Sequence, residues 1–327
     1  MIKVAMFDAK PYDIDSFESL RGENIKIKYF DTKLTADTAE LAKGYDAVIV
    51  FVNDTVDADV IDLLSSFDVE LIALRCAGFN NVNLKAAKDK IKVIRVPAYS
   101  PHAVAEHSLG MLLTSVRRIH KAYIRSKDFN FSLNNLTGFN LNGKTMGVIG
   151  TGKIGKVFCE ICKGFGMKVI AYDIYPDKSL DVEYTDLNTL LSKSDIISLH
   201  CPLTKENYHM IDKKAVETMK KGVILINTSR GSLVDAEALL DGIKDKKIGG
   251  ACLDVYEEES DLFFEDNSGH IVHDDILARL ISMPNVLITS HQAFLTKEAL
   301  ENIAETTLGG INDYFELGTL KNEVRYN

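Results

Sequence analysis

The chain has 327 residues, enough for about two domains, and 46% of them are hydrophobic, enough for ordinary buried cores. A formal charge of −9 argues against an electrostatic grip on DNA, RNA or an anionic membrane surface. Five cysteines in a chain this long do not suggest a disulfide framework, and no apolar run approaches the ~18 residues of a membrane span.

The start, Met1 to Asp8, reads as a strand rather than a signal peptide, so a soluble, cytoplasmic protein is expected. Short apolar runs at Ile2–Phe7, Ile25–Phe30, Ala47–Val52, Leu71–Leu74 and Val93–Val96 suit buried parallel strands. Segments of helical period separate them. One is expected from Asp54 to Ser66, with Val56, Val60, Ile61 and Leu64 on one face. This predicts a small doubly wound, flavodoxin-like domain without a glycine fingerprint.

Pro97-Ala98-Tyr99-Ser100-Pro101 fixes an extended backbone and reads as a hinge. From His102 to about Lys127 the spacing of Val104, Leu109, Leu112, Leu113, Val116 and Ile119 predicts one long helix. Gly110 leaves room there for another backbone. The helix links the domains, and one face is expected to meet a second subunit. His102, His107 and His120 on it are read as surface or interface histidines, and Arg117-Arg118 as a solvated face.

After a polar stretch from Asn130 to Asn142 comes Gly147-Val148-Ile149-Gly150-Thr151-Gly152-Lys153-Ile154-Gly155, a strand, a glycine turn and a helix start. A second strand ends at Asp173, 18 residues after Gly155. Gly150 suits the tight turn, Gly152 the approach of a pyrophosphate, and Gly155 close helix–strand packing. Asp173 stands where an acid accepts hydrogen bonds from an adenosine ribose and repels a 2′-phosphate. The cofactor is therefore expected to be NAD rather than NADP. Cys159 and Cys162, one helical turn apart inside the following helix, are read as core rather than redox or metal ligands, and no zinc-site spacing accompanies them.

Further strands are expected to end near Cys201, Ser229, Tyr256 and His291. A C-terminal helix, Thr296 to Phe315, packs back on the first domain. The expected architecture is α/β: a discontinuous substrate domain (1–100 plus 296–327) and a Rossmann NAD-binding domain (101–295), with a cleft between them.

Ligands of open parallel sheets bind outside the carboxyl ends of the strands. Strand ends there deliver Arg230, the acids of Asp254 to Glu259, and His291. The set suits hydride transfer to a 2-keto acid. A guanidinium binds a carboxylate through its fork, and an imidazole, with an intrinsic pKa near ~6.5, gives or takes a proton. A nearby carboxylate would orient that ring. Spacing alone does not choose among Glu257, Glu258 and Glu259.

Asn227-Thr228-Ser229-Arg230-Gly231, Leu253-Asp254-Val255-Tyr256 and Ser290-His291-Gln292-Ala293-Phe294 resemble the D-isomer-specific 2-hydroxyacid dehydrogenases. So do Ala98-Tyr99-Ser100-Pro101 and Ala105-Glu106-His107, and the match covers nearly the whole chain. The stretches Arg75-Cys76-Ala77-Gly78-Phe79-Asn80-Asn81-Val82 and Asp261-Leu262-Phe263-Phe264-Glu265-Asp266 look most like the fermentative D-lactate dehydrogenase branch. The resemblance implies Arg230 as substrate binder, His291 as proton donor and Glu259 as its partner. It implies backbone amides around Ala77 and Gly78, with Tyr99 nearby, for the substrate carboxylate, and Phe51 and Phe294 around a small apolar pocket. Lys153, Ile154, Asp173, Cys201, Pro202, Asn207, Thr228, Ser229 and Asp254 match NAD-contacting positions.

The implied reaction is pyruvate and NADH to D-lactate and NAD, in a homo-oligomer, dimer or tetramer. Two alternatives stay open. One is a bulkier 2-keto acid or related substrate, such as 2-ketoisocaproate, hydroxypyruvate or 2-ketoglutarate. The other is a non-catalytic NAD-sensing module of the same fold.

Overall fold

The apolar runs of the first hundred residues form one parallel sheet: β1 (Ile2–Met6), β2 (Ile25–Tyr29), β3 (Ala47–Val50), β4 (Leu71–Leu74) and β5 (Lys92–Arg95). These come from a computed structural model, which describes residues 1–258, 262–264 and 266–326. The order is β2-β1-β3-β4-β5, the flavodoxin-type arrangement. β3 and β4 are buried along their whole length, as interior strands of a parallel sheet are. α1 (Pro11–Leu20), α2 (Ala58–Ser66) and α3 (Leu84–Ala87) are the helices of this segment. α2 is shorter than the Asp54–Ser66 expected. Asp57 caps it by accepting from Val60 N (3.0 Å), while Asp54 turns back to accept from Leu34 N and Phe51 N (2.6 Å each).

The helix expected from His102 to Lys127 is two helices, α4 (Pro101–Val116) and α5 (Ile119–Lys127). Arg118 breaks it, with φ +54° in the left-handed region. Gly138 explains the packing at the break: a Cβ there would lie 2.1 Å from Val116 O. Gly110 has no such neighbour; a Cβ on it would meet nothing within 4 Å, so the expected close approach is absent among the described residues.

Seven parallel strands follow: β6 (Thr145–Ile149), β7 (Lys168–Tyr172), β8 (Glu183–Tyr184), β9 (Ile196–Leu199), β10 (Val223–Asn227), β11 (Ile248–Leu253) and β12 (Val286–Ile288). The order is β12-β11-β10-β9-β6-β7-β8. Counted from β6 this is 7-6-5-4-1-2-3, the dinucleotide-binding order with one more strand at the edge. The helices here are α6 (Lys153–Gly164), α7 (Leu187–Lys193), α8 (Lys213–Thr218), α9 (Ala236–Lys244) and α10 (Asp275–Ser282). α11 (Lys297–Leu317) then returns the chain to pack on α1 and β4. The two compact units are Met1–Ser100 with Leu295–Asn327, and Pro101–Phe294.

Local chemistry sets the helix starts. Asp57, Asn83, Asp186, Asp212, Asp235, Asp274 and Thr296 each accept a backbone N–H in the first turn of the helix they precede, worth about 1 kcal/mol apiece. α6, preceded by Gly152, has no side-chain cap. Cys159 and Cys162 point into the core formed by α4, α6 and β6, both 0% exposed. Burial pushes the Cys159 thiol up to about 12 and raises Cys162 as well, so they pack as apolar residues. No helix among the described residues is long and apolar enough to cross a membrane.

Candidate active site

The strand order of the second unit's sheet reverses between β6 and β9, and the glycine turn sits at that switch. Gly150 has φ +93°, and a Cβ there would lie 2.7 Å from Cys201 N. A Cβ on Gly155 would fall 1.9 Å from Gly150 O. Neither position tolerates a side chain without backbone movement. Gly152 differs: a Cβ there would meet nothing within 4 Å, so open space lies before the uncapped start of α6. Lys153 and Ile154 form the first turn of that helix. Asp173, just past β7, accepts from Thr151 N (2.6 Å), Thr151 Oγ1 (3.0 Å) and Tyr175 N (2.8 Å). The acid at the end of the second strand thus clips the glycine turn. After β9, Asn207 shapes the loop of Cys201 and Pro202, donating to Pro202 O (2.7 Å) and accepting from Thr204 N (2.7 Å). Burial pushes the Cys201 thiol up to about 11, which disfavours a thiolate at neutral pH.

β10, β11 and β12 are adjacent, and Asn227, Leu253 and Ile288 stand in register across them. Thr228, Ser229 and Arg230 leave the first of these strands, Asp254 the second, and Thr289 to His291 the third. Asn227 shapes the Arg230 turn, accepting from Ser229 N (3.1 Å) and donating to Arg230 O (2.8 Å). Arg230 itself donates from Nη1 to Ser229 O (2.7 Å). Ser229 Oγ donates to Leu199 O (2.9 Å), and the Thr228 hydroxyl meets Ser108 Oγ (2.8 Å). A Cβ on Gly231 would fall 1.9 Å from Tyr256 O, so the loops after β10 and β11 touch.

Asp254 organises the third loop. It is 0% exposed. Its Oδ1 accepts from Thr289 Oγ1 (2.5 Å) and Gln292 N (2.9 Å), and its Oδ2 from Ala293 N (2.8 Å). Its backbone carbonyl accepts from His291 N (2.7 Å). His291 is thereby held at φ +53°, a conformation that costs a non-glycine residue free energy. Its ring lies tilted against Phe264, centroids 5.6 Å apart. Burial penalises the Asp254 carboxylate, but hydrogen bonds from His107, Thr289 and the Ala293 and Gln292 amides outweigh it and hold the group below the usual carboxylate range.

The family model that matches the chain is that of the D-isomer-specific 2-hydroxyacid dehydrogenase NAD-binding domain, over residues 109–293. The chain belongs to the D-isomer-specific 2-hydroxyacid dehydrogenases. It is 51% identical to the D-lactate dehydrogenase of Escherichia coli over 99% of this chain and 100% of that protein. The apo structure of the E. coli enzyme superposes with a TM-score of 0.91, covering 99% and 100% of the two chains at 49% identity. The pyruvate reductase of Chlamydomonas reinhardtii gives 0.92 at 42% identity over 96% of each chain. D-2-hydroxyisocaproate dehydrogenase gives 0.87 at 33% identity over 99% and 100%.

The residues present fit the NAD that this family's domain binds. The glycine turn keeps its space clear, and a carboxylate ends β7. Asp254, expected as a cofactor contact, also has a place inside the fold. With no exposed surface and both carboxylate oxygens engaged inside the fold, it braces the His291 loop. Glu259, the expected partner of His291, lies outside the described residues. Glu257, one of the alternatives to it, is engaged elsewhere, by His209 Nε2 and by Tyr208 OH (3.2 Å). No group of three potential metal ligands occurs among the described residues.

In the first unit, Arg95 Nη1 donates to Ala77 O (2.7 Å), and Cys76 Sγ donates to Gly78 O (3.3 Å), shaping the loop after β4. Phe51, after β3, is pinned by Asp54 at its N–H and Asn81 at its carbonyl (2.8 Å). The buried Arg75 guanidinium stacks 4.1 Å from the centre of its ring. Tyr99 lies partly exposed near the end of the unit's first segment, and Phe294 is buried at the end of the second unit.

Three groups carry no clear local signal in the sequence. His107, expected as a surface or interface histidine, has its Nε2 3.2 Å from Thr289 Oγ1 and 3.4 Å from Asp254 Oδ1. The available signal was its spacing from Val104 and Met111, which places a polar ring beside the apolar stripe of α4. Thr289 gave no signal, because threonine is ordinary in a strand. His200 packs behind the glycine turn with Nε2 2.8 Å from Ser198 Oγ, and burial pushes it down to about 3, keeping it neutral.

Proposed function

We propose that this chain is an NAD-dependent D-lactate dehydrogenase that converts pyruvate, NADH and one proton to D-lactate and NAD. The observation that carries the chemistry is the register of β10, β11 and β12, whose ends deliver a guanidinium, a buried carboxylate and an imidazole. NADH, when bound, supplies the hydride to the carbonyl carbon. Arg230 binds the substrate carboxylate and polarises the carbonyl. His291 gives a proton to the carbonyl oxygen, which becomes the hydroxyl, and takes it back in the reverse direction. Glu259 orients the imidazole and favours its charged form. Arg230 and the imidazolium stabilise the developing alkoxide, an electrostatic contribution of about 3–4 kcal/mol for a well-placed donor.

The full-length likeness to the E. coli D-lactate dehydrogenase supports lactate over a bulkier substrate. Asp173 supports NADH over NADPH. We further propose a cytoplasmic homo-oligomer. Tyr123, Ile124, Phe129, Phe131 and Leu133 are all more than half exposed, the last three at 84%, 73% and 80%, an apolar surface that a second copy would cover. The test is NADH absorbance with a panel of 2-keto acids, followed by product chirality. Pyruvate as best substrate with a D product is expected. No consumption of NADH with any keto acid would favour the non-catalytic module, and a preference for 2-ketoisocaproate would replace the substrate.

A further inference from the structure

Of the second unit's helices, α4 comes first as the chain enters from the first unit, and residues 289–294 come last before the chain leaves. One polar chain joins the two. The Thr289 hydroxyl has a single proton, and Asp254 Oδ1, at 2.5 Å, takes it. Met111 Sδ, at 3.7 Å, is the poorer acceptor. The Thr289 oxygen is then free to accept, and His107 Nε2 stands 3.2 Å away. That fixes the donor: His107 carries its hydrogen on Nε2 and presents it to Thr289 Oγ1, with Asp254 Oδ1 at 3.4 Å on the same side. Asp254 in turn accepts the amides of Gln292 and Ala293, and its carbonyl accepts that of His291. The next residue on α4, Ser108, meets Thr228 in the loop before Arg230. Consecutive residues of one helix therefore brace the loops that carry the two proposed reacting side chains.

We propose that His107 is a positioning residue for His291, acting through Thr289 and Asp254. The link to turnover rests on the dehydrogenase reading above; the link to loop geometry does not. Without the Nε2–H donor, the Thr289 oxygen loses one of its two partners, and the Asp254 carboxylate loses a neighbouring donor. The left-handed backbone at His291, whose N–H donates to Asp254 O, is then held less firmly. A ring that wanders by an ångström loses much of the benefit of being placed.

Three variants separate this from simple packing. His107→Leu fills the space without a donor. His107→Gln returns an N–H near the position of Nε2. Thr289→Val keeps the shape and removes the hydroxyl. Amide exchange at Gln292 and Ala293 is read in the free protein, and kcat and KM are read with pyruvate and NADH. His107→Leu and Thr289→Val are expected to speed exchange at these two amides about tenfold, the equivalent of one hydrogen bond of ~1.4 kcal/mol. They should lower kcat about tenfold while KM for NADH stays within about twofold. His107→Gln should restore most of both. Unchanged exchange in Thr289→Val overturns the proposal, even if His107→Leu fails to fold. Equal losses in the Gln and Leu variants overturn it too, because shape rather than the donor would then matter. If the wild type reduces no keto acid, the dehydrogenase reading falls while the exchange measurement still decides the role of His107.

Discussion

Replacing Asp173 by Ala tests whether one carboxylate selects the cofactor or only clips the glycine turn. Asp173 accepts two hydrogen bonds from Thr151 and one from Tyr175 N, and it remains partly exposed beside the exposed Ile174 and Tyr175. For NADH the substitution removes a charged acceptor of ribose hydroxyls, worth about 1.5–3 kcal/mol. For NADPH it removes repulsion between two anionic groups. At about 5 Å that repulsion is ~0.8 kcal/mol in water and ~3 kcal/mol at an effective dielectric of 20. The partial exposure of Asp173 favours the lower half of that range, so about 1 kcal/mol is used. The two terms move the NADH to NADPH preference in the same direction. Together they come to at least ~2.5 kcal/mol, a shift of about 70-fold. Loosening of the glycine turn lowers kcat/KM with both cofactors and cancels in their ratio. The assay is kcat/KM for each cofactor at fixed ionic strength, since salt screens the repulsive part. If both constants fall in parallel and the ratio moves less than about threefold, Asp173 is a clip on Thr151 and selects nothing.

The remaining expectations follow from the rim. His291→Ala should cut turnover by ~10² or more while NADH still binds; turnover near wild type would remove His291 from proton transfer. Arg230→Lys keeps the charge and loses the fork, so KM for pyruvate should rise sharply, and a normal KM would place the carboxylate elsewhere. Asp254→Asn must turn an amide N–H toward one of the donors that the carboxylate now accepts, leaving at least one buried N–H unpaired at a cost of about 1–3 kcal/mol. The folded carboxylate titrates below its unfolded value. Its contribution is therefore complete above the unfolded pKa near ~3.9 and is lost as pH falls through the folded value. Urea unfolding should show the gap between wild type and Asp254→Asn full at pH ~7 and narrowing only below pH ~4; a gap that widens in acid would mean the group is buried protonated.

What the sequence made legible was whatever repeats with a period or depends on backbone shape. Leu71–Leu74 was read to the residue because a buried parallel strand is continuously apolar, and its ends are set by charge. The glycine triplet was legible because two of its members have no room for a Cβ and the third faces open space. Arg230, Asp254 and His291 could be put on one sheet edge because ligand chemistry follows the carboxyl ends of parallel strands. The register of β10, β11 and β12 aligns the residues they leave from.

Other features depended on what meets across the fold, and no local pattern carries that. The break at Arg118 was hidden because the apolar spacing runs through it; only a left-handed φ, with Gly138 seated against Val116 O, stops the helix. The bracing role of Asp254 was hidden because an acid at a strand end is equally suited to a cofactor and to neighbouring amides. Only the fold shows the amides, with the carboxylate 0% exposed among them. His107 shows the same limit from the other side. A histidine beside a helix's apolar stripe is ordinary until its neighbour 182 residues later is known to be Thr289. The side chains proposed to react stand where strands end, whereas their contacts within the fold are set by long-range pairs. Mutational tests confined to Arg230 and His291 would therefore miss the contacts to Asp254 that accompany the left-handed backbone of His291.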